Sequence, residues 1–124
     1  MKKEFVSYET ALELKELGFN EPCYGYYIEL KNPKEGILEI GQIEKETIGI
    51  NAPLYQQAFR WFREKCNVSH YVSQDWDSVK NLGYDGQIES LDGEININTE
   101  TFAAYEEAEI ECLKQLIKIA KQKL

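Results

Sequence analysis

The chain has 124 residues, with 22 acidic side chains against 14 basic ones and a net charge of −8. That length predicts one domain spanning residues 1–124, and a 43% hydrophobic, 12% aromatic composition is enough for a packed core and excludes wholesale disorder. The acidic balance argues against double-stranded nucleic acid and anionic membrane as partners, because both are held by clustered Lys and Arg.

Lys2 and Lys3 resemble the start of a secretory signal, but Glu4, Glu9 and Glu13 interrupt any apolar run. No stretch approaches the ~20 apolar residues of a membrane span. Cys23, Cys66 and Cys112 are odd in number and widely spaced, with no Cys-x-x-Cys pair and only His70 to assist them. They fit neither a disulfide framework nor a zinc site. The expectation is three reduced thiols in a cytosolic protein.

Ser7 is a good N-cap for a short helix over roughly residues 8–17, and Gly18 supplies its left-handed stop, with Phe19 folding back on the last turn. Residues 23–30 alternate as a strand, with Tyr24, Tyr26, Ile28 and Leu30 on one face. A polar turn over residues 31–36 leads to a return strand over Ile37–Ile43, and residues 47–50 form a third short strand. Asn51 is placed to cap the second helix, with Pro53 in its first turn. Over residues 54–66 the helical period puts Leu54, Tyr55, Ala58, Phe59, Trp61, Phe62 and Cys66 on one face and Gln56, Arg60 and Arg63 on the other. Asn67 ends it.

Residues 69–74 read as a strand broken by Asp75-Trp76-Asp77-Ser78. Tyr84–Leu91 and Glu94–Ile97 form a hairpin joined at Asp92-Gly93. The last helix covers roughly residues 102–122, with Glu106, Glu107, Glu109 and Glu111 crowding its first half and Lys114, Lys118, Lys121 and Lys123 its second, as the helix dipole favours. Tyr105, Ala108, Cys112, Leu113, Leu116, Ile119 and Ala120 make its apolar face. Glu106 and Glu109 fall inside that arc, where they either serve the dipole or line a pocket. The order α-β-β-(β)-α-β-β-β-α predicts an α+β fold with antiparallel sheets packed by three helices.

The second half has the element order of a double-stranded-RNA-binding domain. Such a domain meets phosphates with lysines at the start of its final helix, where this chain has Glu106 and Glu107. His70 has Ser69 and Ser73 nearby, but a relay needs a nucleophile and a carboxylate gathered in space, and a solvated or hydrogen-bonded strand histidine is the ordinary reading. Asp75, Asp77 and Asp85 offer hard oxygen ligands without any calcium-loop spacing, so a small metal-dependent enzyme is an alternative and a solvated turn anchored by Trp76 the simpler account. No phosphate loop, nucleophile elbow or zinc-protease motif occurs, and no cofactor is implied.

Two features stand out. Arg60 and Arg63 are the only arginines, three residues apart on a polar helix face beside Gln56. Their forked donors match phosphate or carboxylate, the everyday alternative being solvated pairs with glutamates such as Glu64. Aromatic side chains are also dense, with Tyr26 and Tyr27 adjacent, so that one face of their strand is wet or covered by a partner. Trp61 and Tyr105 read as ordinary core.

The run Ala52-Pro53-Leu54-Tyr55-Gln56-Gln57-Ala58-Phe59-Arg60-Trp61-Phe62-Arg63-Glu64-Lys65, the final-helix segments Tyr105-Glu106-Glu107-Ala108-Glu109 and Cys112-Leu113-Lys114-Gln115-Leu116-Ile117, and the opening residues 5–19 resemble small phage and prophage proteins of Bacteroides-type bacteria. The resemblance covers most of the chain and implies a phage or prophage source, with no catalytic residues. A Thr caps the final helix in those proteins. Ala104 stands there in this chain, which predicts an earlier start capped by Thr99 or Thr101. The expectation for function is a non-enzymatic accessory protein of the host bacterial cytosol. Its candidate binding residues are Arg60, Arg63, Gln56, Tyr26, Tyr27 and Trp76, and its target is a host protein or a small anionic ligand such as a nucleotide signal. A structural or assembly module is the other alternative: opposite charges in the two halves of the last helix suit an antiparallel homodimer.

Overall fold

Helix α1 (Tyr8–Glu16) begins where Ser7 accepts a hydrogen bond from the Thr10 amide, in the computed structural model, which describes residues 4–29, 36–41, 49–76 and 82–123. It ends in a Schellman motif: the Phe19 amide donates to the Leu14 carbonyl and Gly18 to Lys15, with Gly18 at φ +102°. Both ends are as the sequence predicts. Strands β1 (Gly25–Glu29), β2 (Gly36–Ile40) and β3 (Gly49–Ala52) form an antiparallel sheet in the order β2-β1-β3. Of the turn predicted over residues 31–36, Gly36 instead starts β2, and 31–35 lie outside the described residues, as do the end of the return strand at 42–43 and the start of the third strand at 47–48.

Asn51 is not a helix cap. It lies in β3 opposite Tyr26, and Pro53 and Leu54 precede helix α2 (Tyr55–Cys66), with Leu54 bridged to Phe5. Strand pairing claims the backbone that local capping chemistry would have used. Asn67, at φ +56°, ends α2 as expected.

Strands β4 (Val68–Trp76), β5 (Leu82–Ser90) and β6 (Asn96–Phe102) form a second antiparallel sheet in that order, followed by helix α3 (Tyr105–Lys123). The fold is α+β, and the described residues form three helices and two three-stranded antiparallel sheets in the order α-β-β-β-α-β-β-β-α. Four local expectations change. Asp75 and Trp76 continue β4, paired with Gly83 and Leu82, instead of breaking it. The Asp92-Gly93 connection is a wider loop: Ser90 pairs with Ile95, and the Asp92 carboxylate accepts from the Glu94 amide and the Ser90 hydroxyl. Thr99 and Thr101 lie in β6, so α3 starts after Ala104, whose carbonyl accepts from the Ala108 amide. Tyr105 is 41% exposed and is not core; its ring meets Tyr84 edge-on, 5.9 Å between centroids.

The chain divides into two compact units, Met1–Ala58 and Phe59–Leu124, with the division inside α2. In the first, Tyr8, Ala11 and Leu14 of α1 are buried, as are Tyr27 and Ile50 of the sheet. In the second, α3 packs against all three strands, most extensively against the central β5, and buries Ala108, Cys112, Leu113, Leu116 and Ile117. Burying Leu113, Leu116 and Ile117 stabilises by about 1.5–3 kcal/mol each before entropy is subtracted. Among the described residues no helix is long and apolar enough to cross a membrane.

Candidate functional site

Helix α2 has two opposed faces. Ala58, Phe59, Trp61 and Phe62 are buried, and the Trp61 and Phe62 rings meet edge-on at 5.0 Å. Arg60 and Arg63 are exposed three residues apart, hence neighbours on the outer face. Gln56, one turn earlier on the same helix, is also exposed. The arginines thus stand on the helix face opposite the buried one.

The aromatic candidates lie elsewhere in the chain. Tyr27 is buried in the first unit, where its hydroxyl donates to the Val6 carbonyl at 2.6 Å and its ring meets Tyr8 at 5.5 Å. Burial pushes its phenol up. Tyr26, on the other face of β1, is half-buried, and Tyr24 is 73% exposed. The alternation thus puts Tyr27 inward and leaves the Tyr26 face partly open. Trp76 closes β4 opposite Leu82, and its side chain lies outside the described residues.

His70 is on the inner face of β4, paired with Ile88 and stacked on Phe59 at 3.4 Å and 14°. Its Nδ1 is buried and has no hydrogen-bond partner among the described residues. Burial, and then the Arg63 charge, lower its pKa to about 4. Ser69 and Ser73 fall on the opposite face of the strand, and Ser73 donates instead to the Asp85 carboxylate at 3.3 Å. Asp77 and the side chain of Asp75 lie outside the described residues. Among those described, no three His, Cys, Asp or Glu side chains gather as a metal site. Cys23 and Cys112 are buried, with thiols pushed up to about 12 and about 11, chiefly by burial.

One concavity went unmarked in the sequence. A cavity of about 390 Å³ lies between α1 and β3, lined by Ala11, Lys15, Gly18, Phe19, Asn20 and Gly49–Asn51. Its two walls, residues 11–20 and 49–51, are distant in the chain, and no motif joins them. No family model, curated protein or solved structure matches this chain.

Proposed function

We propose that the protein acts by binding, as a non-enzymatic accessory protein of phage or prophage origin. It works in the host bacterial cytosol and counteracts a host process by sequestering a small nucleotide signal or a host protein. The observation that supports this reading is the pair of arginines exposed on the outer face of α2, opposite a face anchored by Phe59, Trp61 and Phe62. Guanidinium forks hold phosphate and carboxylate bidentately. The surrounding acidity does not defeat such a contact, because exposed charges beyond about 8 Å are largely screened at physiological salt.

The test is affinity recovery of the tagged protein from infected host cells, with mass spectrometry of both co-purifying proteins and small molecules. The same recovery is made with the Arg60→Ala/Arg63→Ala double variant. The double variant is expected to keep its thermal stability and to lose its partner, with affinity lowered at least about tenfold, as for the loss of one charged hydrogen bond. Recovery of the same partners at the same yield by both proteins would remove the arginines from the site.

A further inference from the structure

The cavity between α1 and β3 has the composition of a ligand site. Its volume, about 390 Å³, falls in the range of small-molecule pockets. Ala11, Phe19 and Ile50 are buried and give it an apolar floor, while Lys15 and Asn20 are exposed and Asn51 is half-buried. Helix α1 carries Glu9, Glu13 and Glu16 as well as Lys15, and among the described lining residues Lys15 is the charged one. On a chain of net charge −8, Lys15 gives the described wall of this concavity a cation.

The backbone adds to this. Lys15 stands one turn after Ala11 on the same helix face, so its ammonium extends from the apolar floor. The carbonyls of Leu14 and Lys15 already accept from Phe19 and Gly18, so the negative end of α1 is capped. Among the described strands β3 pairs with β1 and ends the order β2-β1-β3, and it lines the cavity with three consecutive residues.

We propose that this cavity binds a small organic anion with a planar aromatic body. The carboxylate or phosphate group pairs with Lys15, the ring lies on the Phe19 and Ile50 floor, and the Asn20 and Asn51 carboxamides, each both donor and acceptor, meet polar atoms on the ring. Neither Arg60 nor Arg63 is among its described lining residues.

The test is a titration of the full chain followed by amide NMR, with benzoate and phenyl phosphate as probes and the neutral isostere benzamide as control. Saturable shifts are expected at the amides of Asn20, Gly49, Ile50 and Asn51, with a Kd of about 1 mM or tighter, the range open to a fragment of that size. Benzamide should bind at least about tenfold more weakly, and Lys15→Gln should weaken the anions about tenfold while Lys15→Arg keeps them, as a charge contact requires. Preference between the two probes assigns the head group. Arg60→Ala/Arg63→Ala should leave the titration unchanged, so failure here and failure of the arginine reading are separate results. The proposal is overturned by the absence of saturable shifts with either anion up to about 10 mM, by benzamide binding as well as benzoate, or by Lys15→Gln binding like the wild type.

Discussion

Gly86 lies directly against Cys112: a side-chain carbon built on Gly86 would overlap the Cys112 Sγ and approach Thr99 Cγ2 to 3.2 Å. The contact lets α3 sit close on β5, at the β6 irregularity where the Gly86 amide donates to Thr99 Oγ1 at 2.8 Å. Gly86→Ala is therefore expected to cost about 1–3 kcal/mol, the usual penalty for overpacking. Chemical denaturation of the single and double variants with Cys112→Ala tests the contact. Removing the sulfur should recover at least about 1 kcal/mol of that loss as a coupling energy, whereas strictly additive effects would place the strain elsewhere.

His70 gives the protein a pH dependence of known sign. Its pKa in the folded protein is about 4, against about 6.5 in an unfolded chain. Above pH 6.5 it is neutral in both states and adds no pH dependence. Between 6.5 and 4 the unfolded state binds the proton and the folded state does not, so stability falls as pH falls. Allowing for partial exposure, the loss is about 2 kcal/mol by pH 4. Urea unfolding of wild type and His70→Leu at pH 7 and pH 4.5 isolates the effect, since the carboxylates are common to both proteins. Parallel pH profiles would show that water reaches the ring.

The sequence was most legible where a rule depends on neighbours in the chain. The Ser7 cap and the Gly18 stop involve side chains and amides within a few residues, and both formed as expected. The inner and outer faces of α2 follow from helical period alone. Asn51 and Thr99 failed for the opposite reason: each has good capping chemistry, but each is taken by a strand partner, Tyr26 and Gly86 respectively. The Lys15 cavity was illegible because it is assembled by α1 packing beside β3, and sequence spacing does not encode that packing.

The three cysteines should separate by reactivity. Cys23 and Cys112 are buried with strongly raised pKa values, while Cys66 is only half-buried at the end of α2. Thiolate, not thiol, attacks an alkylating or disulfide reagent. Ellman's reagent at pH 8 should modify one thiol quickly and the other two only at the rate of unfolding, with denaturant making all three react. Cys66→Ser should remove the fast phase. A fast phase that survives this substitution would mean that one of the buried thiols opens locally.

Glu109 decides whether the acidic start of α3 serves the helix dipole. It is half-buried, and burial together with the neighbouring Glu106 charge raises its pKa above the ordinary carboxylate range. A carboxyl raised on folding adds stability only at low pH and loses it as pH rises through the folded-state value. At neutral pH the ionised side chain is then a net cost, which solvent screening limits to about 0.5 kcal/mol. Glu109→Gln keeps the shape and removes the charge, so it should stabilise the protein by that amount at pH 7. At pH 3, where both carboxyl and carboxamide are neutral, it should change little. Thermal denaturation at the two pH values measures this. If Glu109→Gln is instead less stable at pH 7, attraction to the positive end of α3 outweighs burial and repulsion at this position, and the dipole accounts for Glu109 as it does for the exposed Glu106 and Glu107.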